Sequence, residues 1–225
     1  MHPHVKPNRL RAKELSYFHH FGYHELADTE IETYRAAFAA PEGEICGEWS
    51  PTYLSYPFVL DHLTTAVPTT KLLVILRNPI DRTVSNLNQL LSVRAAAIGL
   101  RGPAKNVFRV FSLFPEAVLQ SRYAESLRRL HSLVPRSQIL VLQYEKCKVA
   151  VAPELARTYR FLGIDDSFVP QGFHDAVNKR SYLLPQPTER ERLKMAEYFS
   201  PDVAELKTLL PDIDLSLWPE FDQLL

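Results

Sequence analysis

Glycine is scarce in this sequence, with only seven residues in 225. None of them precedes a Lys-Ser or Lys-Thr pair, and no three of them form a G-x-G-x-x-G pattern. Those two patterns are the glycine-rich loops with which P-loop nucleotidases and dinucleotide-binding domains hold phosphate groups. The sequence therefore excludes both of these phosphate-binding motifs.

Cysteine, excess charge and long apolar runs are also missing. The only cysteines are Cys46 and Cys147, too few for a disulfide scaffold. Lys plus Arg and Asp plus Glu each number 26, so the net charge is zero and a basic nucleic-acid binder is not expected. The longest uninterrupted apolar run, Leu72 to Leu76, is far shorter than a membrane span, and residues 1–13 lack the apolar core of a signal peptide. These absences predict a soluble cytoplasmic protein.

Five histidines lie near the start of the chain without a metal-binding pattern around them. They are His2, His4, His19, His20 and His24. Zinc sites are recognised by ligand spacing, and neither an HExxH motif nor a cysteine set accompanies these residues. We therefore expect no bound metal.

Short apolar strands alternate with helices along the chain. Strands are predicted over 44–48, 71–77 and 138–144, and helices over 30–39, 57–67, 79–94, 116–134, 153–162, 189–199 and 201–210. Thr29 with Glu32, and Thr188 with Glu191, form the capping boxes that begin two of these helices. The apolar segment 71–77 predicts a strand that is buried on both faces. The alternation predicts an α/β fold with a central parallel β-sheet flanked by helices.

The segment around Arg77 is a candidate anion site. Arg77 ends the predicted strand, Asn78-Pro79 is typical of a helix start, and Ser85 follows about two turns into that helix. Helix N-termini and arginine side chains both bind phosphate groups. The alternative is a surface arginine beside a solvent-facing serine, and the pattern alone leaves both readings open.

Two further segments could form part of a reactive site. Glu14 lies among aromatic residues, where partial burial can raise a carboxylate pKa toward general-base values, although a surface ion pair with Lys13 is the simpler reading. The sequence GEWSPTY, residues 47–53, directly follows a predicted strand and could hold a substrate. An aromatic turn packed on the core explains that loop equally well.

Together these segments resemble the PAPS-dependent sulfotransferase family, in particular its bacterial and heparan-sulfate-type carbohydrate branch. The sequence KELSYF at 13–18 is similar to the family's KE-x-x-[FY]-F segment, and residues 47–53 are similar to its GE-x-SP-x-Y loop. Residues 71–85, KLLVILRNPIDRTVS, resemble its 3′-phosphate motif. The match runs in family order along nearly the whole chain, and the 71–85 motif is its most specific part.

The resemblance implies a role for each matched position. Glu14 falls on the catalytic base, and Arg77 and Ser85 fall on the residues that bind the 3′-phosphate of PAPS, the sulfuryl donor. Positions expected near the acceptor are Tyr17, Phe18, Trp49, Ser50, Tyr53 and Tyr123. The implied partner is a carbohydrate or small-molecule acceptor with a hydroxyl or amine, without metal, nucleic acid or membrane.

One family landmark is not found in the sequence. The family's K-x-GTT-x-L loop holds the 5′-phosphosulfate, and no Gly-Thr-Thr occurs in these 225 residues. The resemblance therefore predicts a single sulfotransferase-like domain over 1–225 that lacks the first strand and the phosphate loop. Two alternatives remain: a catalytically inactive fragment or nucleotide-binding remnant, and an unrelated α/β phosphate-binding protein.

Overall fold

The computed structural model describes residues 2–10, 14–94, 107–171 and 184–222. The chain divides into two compact units. Unit 1 comprises Met1–Val74, Ser126–Leu142 and Val149–Phe173, and unit 2 comprises Ile75–Glu125, Gln143–Lys148 and His174–Leu225. The described elements are, in chain order, β1 (Val5–Pro7), α1 (Asp28–Ala37), β2 (Ile45–Gly47), α2 (Pro57–Ala66), β3 (Leu72–Leu76), α3 (Pro79–Arg94), α4 (Val107–Leu113), α5 (Pro115–Leu119), α6 (Ala124–Leu133), β4 (Ile139–Gln143), α7 (Tyr144–Val149), α8 (Val151–Leu162), α9 (Glu189–Leu209) and α10 (Pro219–Asp222).

Unit 1 begins with a short strand that the sequence did not predict. β1 pairs in parallel with β2, in a register that places Val5 opposite Ile45 and Lys6 opposite Cys46. In the same unit, α1 packs against α2. An aromatic-rich core is buried in this unit and consists of Phe18, Tyr34, Tyr53, Val59, Leu63 and Ala66.

The described strands form two small sheets rather than one central sheet. β1 pairs with β2, and β3 pairs with β4. The predicted burial of β3 on both faces is wrong, because Leu73 is 43% and Ile75 is 59% exposed. Successive side chains of a strand point to opposite faces of the sheet, and the face that carries Leu73 and Ile75 is not covered by the described residues. The α/β class itself is confirmed.

The helix predicted over 116–134 is divided into α5 and α6. The Asp202 carboxylate accepts hydrogen bonds from the backbone N–H groups of Tyr123 (2.7 Å) and Ala124 (3.2 Å). These bonds satisfy two amides at the first turn of a new helix, so α6 begins at Ala124. Burial of Asp202 raises its carboxyl pKa, although both amide bonds lower it.

Conversely, the two helices predicted over 189–199 and 201–210 form one continuous helix. Pro201 lies inside α9, and Ser200 donates its hydroxyl to the Ala196 carbonyl at 2.7 Å. Proline is normally a helix boundary, but here the chain on both sides is buried against its surroundings at Phe199 and Val203. Packing therefore outweighs the local preference. The start of α9 agrees with prediction, because Thr188 and Glu191 form the expected capping box.

The other predicted capping box is not formed. α1 begins at Asp28, so Thr29 lies inside the first turn. The N-cap is instead Ala27, two positions earlier, and Glu30 reaches back to accept the Ala27 N–H at 2.7 Å. α8 ends as predicted at Gly163, whose φ of +82° is the left-handed conformation that favours glycine.

None of the helices in the described ranges is long and apolar enough to cross a bilayer. Over the same ranges, no group of three His, Cys, Asp or Glu side chains is arranged to hold a metal ion.

Candidate active site

The junction between β3 and α3 lies in unit 2 and is built as the sequence predicts. Arg77 follows the last strand residue, and Pro79 is the first residue of α3. The Asn78 side-chain oxygen accepts hydrogen bonds from the backbone N–H groups of Ile80 (2.9 Å) and Asp81 (3.4 Å). Asn78 is therefore the N-cap of α3.

The expectation that free amides at this helix start bind an anion is not supported. The cap uses the amides of residues 80 and 81, and carboxylates surround the junction. Glu145 accepts the Asn78 backbone N–H at 2.9 Å, Glu220 accepts the Asn78 side-chain amide at 3.0 Å, and Asp81 is paired with Arg192 at 2.9 Å. Arg192 compensates part of this charge, because it pairs with both Asp81 and Glu220, but Glu145 already occupies the Asn78 amide and the cap occupies the next two. An anion at this junction must instead be held by side chains.

Arg77 is the side chain best placed for that role. Its guanidinium lies over the Tyr144 ring, 5.2 Å from the ring centroid. Within the described part of the chain, no carboxylate forms an ion pair with it. The Arg77 carbonyl accepts the Tyr123 hydroxyl at 2.9 Å, so the backbone beneath the side chain is held.

Ser85 lies on the same side of α3 as the cap. It follows Asn78 by seven positions, close to two helical turns, and follows Asp81 by four. Its side chain is half-buried, and its hydroxyl makes no hydrogen bond to another described residue. Ser85 can therefore donate to an anion that reaches this face.

Arg82 and Glu145 are two residues of this region to which the sequence analysis gave no role. The Arg82 guanidinium contacts Ser121 at 3.2 Å and Gln120 at 3.4 Å, and its burial lowers the Arg82 pKa. Glu145 also accepts the Trp218 indole N–H at 2.8 Å. One signal for Glu145 was available: it follows the second apolar strand almost directly, as Arg77 follows the first.

In unit 1, the two segments that the resemblance singled out are brought into contact. Ser50, in the loop after β2, accepts the Ser16 backbone N–H at 3.0 Å and donates its own hydroxyl to Glu48 at 2.8 Å. The second Glu48 oxygen accepts the Tyr34 hydroxyl at 2.7 Å. Burial and the neighbouring Glu48 charge raise the pKa of Tyr34 and of Tyr53. The Ser16–Ser50 hydrogen bond thus joins residues 14–18 to residues 47–53.

Glu14 itself is exposed, so the partial burial among aromatic residues that the sequence suggested is not found. No hydrogen bond or ion pair joins Glu14 to another described residue. Lys13, its expected partner, lies outside the described residues. Two positions further on, Ser16 has a φ of +49°, a left-handed conformation that is unfavourable for a residue other than glycine. Such strain is maintained only where surrounding contacts impose it, and here the Ser50 hydroxyl bonds the Ser16 amide.

The expected acceptor contacts differ in exposure. Trp49 is 57% exposed and Ser50 is half-buried, so both can meet a ligand. Tyr17 is half-buried, but its hydroxyl is bonded to the Glu30 carbonyl at 2.8 Å. Phe18 and Tyr53 belong to the core of unit 1, and Tyr123 is buried in unit 2, so these three rings offer little surface to an acceptor.

His19 is placed for packing rather than for proton transfer. Its ring lies 5.4 Å from that of Tyr53 and 5.0 Å from that of Tyr56, and one ring nitrogen is 3.1 Å from the Thr52 hydroxyl. The other ring nitrogen is buried without a partner in the described residues. An acceptor cannot reach that nitrogen in this conformation.

Comparison with solved structures supports the fold. The chain is similar to a sulfotransferase from Alicyclobacillus acidocaldarius, with 24% identity, a TM-score of 0.74, and coverage of 97% of this chain and 90% of that one. A second similar structure is the sulfotransferase domain from the curacin biosynthetic pathway, with 17% identity, a TM-score of 0.47, and coverage of 76% and 68% respectively. Among curated proteins no match was found.

The family follows from the sequence match. Residues 52–183 match the family model for the sulfotransferase domain, and this range contains the whole β3–α3 junction with Arg77 and Ser85. The match covers more than half of the 225 residues, and the fold of the Alicyclobacillus enzyme extends over nearly all of them. The chain therefore belongs to the sulfotransferase family and is a transferase.

Proposed function

We propose that this sulfotransferase takes a sulfuryl group from PAPS and transfers it to a hydroxyl or amine of a carbohydrate or another small molecule. The observation that carries the proposal is the Arg77 guanidinium, which follows a strand, stacks on Tyr144, and has no carboxylate partner in the described residues. A phosphate group is the natural partner of such an arginine, because paired N–H donors match its oxygens.

The residues at the β3–α3 junction fit the 3′-phosphate of this donor. Arg77 supplies positive charge and up to two parallel hydrogen bonds, and Ser85 supplies a hydroxyl from α3. Asp81 lies on the same helical face as Ser85, but its charge is compensated by Arg192. A dianionic phosphate beside Arg77 therefore does not meet an unpaired Asp81 carboxylate.

In the proposed reaction, PAPS supplies an activated sulfuryl group. Glu14 takes the proton from the acceptor hydroxyl or amine as the new bond to sulfur forms and the bond from sulfur to the donor phosphate oxygen breaks. An exposed carboxylate can meet an acceptor from solvent, which suits Glu14 for this step. The contact between Ser16 and Ser50 holds the segment that carries Glu14 against the 47–53 loop.

The 47–53 loop favours an acceptor molecule that is uncharged and at least partly apolar. Trp49 is exposed and presents an aromatic face, which can stack on the C–H face of a sugar or on an aromatic ring. The half-buried Ser50 next to it adds a hydroxyl that can accept one further hydrogen bond. A panel of sugars and phenols therefore covers the acceptor classes that this loop favours.

The test measures donor binding and transfer together. Calorimetry compares adenosine 3′,5′-bisphosphate with adenosine 5′-monophosphate for wild type and Arg77→Ala. Charged hydrogen bonds are worth about 1.5–3 kcal/mol, so Arg77→Ala should weaken binding of the bisphosphate roughly tenfold or more. Binding of the monophosphate should hardly change.

The matched control is Arg160→Ala, which removes an exposed arginine of unit 1 that pairs with Asp166. It should bind both nucleotides as wild type does. Labelled PAPS with the acceptor panel then gives the reaction itself. Equal losses for both nucleotides in Arg77→Ala, or tighter binding of ATP than of the bisphosphate, would contradict the proposal.

A further inference from the structure

We propose that Tyr123 and Glu145 act as positioning residues for the donor site, because they form hydrogen bonds on opposite sides of the peptide that joins Arg77 to Asn78. These two hydrogen bonds are called the clamp below. The inference rests on the proposed role of Arg77 in binding the 3′-phosphate. It adds that the selectivity for this phosphate depends on side chains that never touch it.

The two contacts act on a single peptide unit. Its carbonyl, from Arg77, accepts the Tyr123 hydroxyl at 2.9 Å. Its N–H, from Asn78, donates to Glu145 at 2.9 Å. A peptide unit is planar, so fixing its oxygen and its hydrogen fixes the rotation of the whole plane about the chain. The clamped plane in turn sets the ψ angle of Arg77 and the direction in which its side chain leaves the backbone.

Glu145 is itself held in place. Its second carboxylate oxygen accepts the indole N–H of Trp218 at 2.8 Å, and Trp218 is fully buried. Each Glu145 oxygen therefore has a fixed donor, which satisfies a partly buried carboxylate. Through this bond the C-terminal segment before α10 becomes part of the support for the β3–α3 junction.

Tyr123 is held in place as well. Its side chain is 3% exposed, and its backbone N–H donates to Asp202 of α9 at 2.7 Å. The helix break between α5 and α6 leaves Tyr123 immediately before α6, where its hydroxyl donates to the Arg77 carbonyl. The break thus has a consequence for the donor site and not only for the course of the chain.

The clamp matters because Arg77 has few other restraints. Its guanidinium rests on Tyr144, which is itself 39% exposed, and in the described residues it has no ion pair. An arginine forms two strong hydrogen bonds to a phosphate only when the paired N–H groups of its guanidinium face the phosphate oxygens. Because the backbone of Arg77 is fixed before the phosphate binds, less conformational freedom is lost when it does.

The central test is Tyr123→Phe, which keeps the ring and removes only the hydroxyl. Loss of one hydrogen bond to the clamped carbonyl should weaken adenosine 3′,5′-bisphosphate binding roughly three- to tenfold. Binding of adenosine 5′-monophosphate should stay unchanged, so the ratio of the monophosphate dissociation constant to the bisphosphate dissociation constant falls. Trp218→Phe, which removes the donor to Glu145, should lower the same ratio.

Two controls separate positioning from general loss of structure. Tyr198→Phe removes a hydroxyl from a ring of unit 2 that is 48% exposed, and it should leave the ratio as in wild type. In an Arg77→Ala background, Tyr123→Phe should have no further effect on bisphosphate affinity, because a positioning residue acts only through the residue it positions. Thermal unfolding identifies any variant that does not fold.

The outcomes distinguish this inference from the proposed function. If Arg77→Ala weakens bisphosphate binding selectively and folded Tyr123→Phe does not, the clamp is refuted while the donor site stands. An undiminished effect of Tyr123→Phe in the Arg77→Ala background also refutes it. If Arg77→Ala itself has no selective effect, the proposed function fails and this inference fails with it.

Discussion

Replacing Ser50 by alanine tests whether the loop after β2 holds the segment that carries Glu14. The Ser50 hydroxyl lies between the Ser16 N–H at 3.0 Å and a Glu48 carboxylate oxygen at 2.8 Å. Ser50→Ala removes both bonds and leaves the Ser16 amide without its acceptor. The variant should therefore lose stability, and the turn at Ser16 should lose the contact that maintains its left-handed conformation.

The size of the effect follows from the two bonds. A neutral hydrogen bond contributes about 1 kcal/mol, and one to a carboxylate about 1.5–3 kcal/mol. Because the groups are only half-buried, we take the low ends, about 0.5 kcal/mol for the neutral bond and about 1.5 kcal/mol for the bond to the carboxylate, and expect a loss of about 2 kcal/mol in the free energy of unfolding. Displacement of a catalytic group by about 1 Å can lower the reaction rate on the order of a hundredfold.

Urea unfolding and steady-state transfer from labelled PAPS measure the two effects. In Ser50→Ala we expect kcat to fall about ten- to hundredfold, with affinity for adenosine 3′,5′-bisphosphate unchanged, because the donor residues lie in unit 2. Ser132→Ala is the matched control. It removes an exposed hydroxyl of unit 1 that bonds only to its own helix, and it should change stability by less than about 0.5 kcal/mol.

Ser16→Gly provides the converse test. Glycine adopts a positive φ without strain, whereas another residue loses about 1–2 kcal/mol there. Introduced into Ser50→Ala, it should restore about 1 kcal/mol of stability. If Ser50→Ala retains wild-type kcat, or if Ser16→Gly destabilises the protein further, the reasoning about this turn is wrong.

Two further predictions concern individual carboxylates. Glu14→Gln should lower turnover by about 10²- to 10⁴-fold and leave nucleotide affinity nearly unchanged, and normal turnover would assign the base elsewhere. Burial raises the pKa of Glu220, but hydrogen bonds from Arg192 and Asn78 outweigh it and hold this pKa below its usual 4.5. The carboxylate therefore stabilises the fold above pH 4.5, so the stability advantage of wild type over Glu220→Gln should shrink as the pH falls below that value, and a constant difference from pH 7 to 3 would refute the assignment.

Local chemistry made the β3–α3 junction predictable. Asn78-Pro79 specifies a helix start within two residues, and its cap has the expected form. Thr188 likewise meets Glu191 three positions later at the start of α9. These features depend on neighbours in sequence, so the amino-acid pattern was sufficient.

Features that depend on distant partners could not be predicted in the same way. The break before α6 is made by Asp202, which is 79 residues from Tyr123, and the Asn78 amide is held by Glu145, which is 67 residues away. Nothing next to Tyr123 in the sequence breaks a helix. Likewise, the apolar composition of β3 does not reveal whether both faces of its sheet are covered, so the exposure of Ile75 became apparent only in the fold.

The two tryptophans give the protein a separate fluorescent probe in each unit. Trp49, in unit 1, is 57% exposed, while Trp218, in unit 2, is fully buried and bonded through its indole N–H to Glu145. Emission from Trp49 should be red-shifted and readily quenched by iodide, and emission from Trp218 should be blue-shifted and protected. With Trp49→Phe as the single-probe variant, a donor analogue that reaches Arg77 can be followed through Trp218, and unfolding of unit 2 can be recorded without a signal from unit 1.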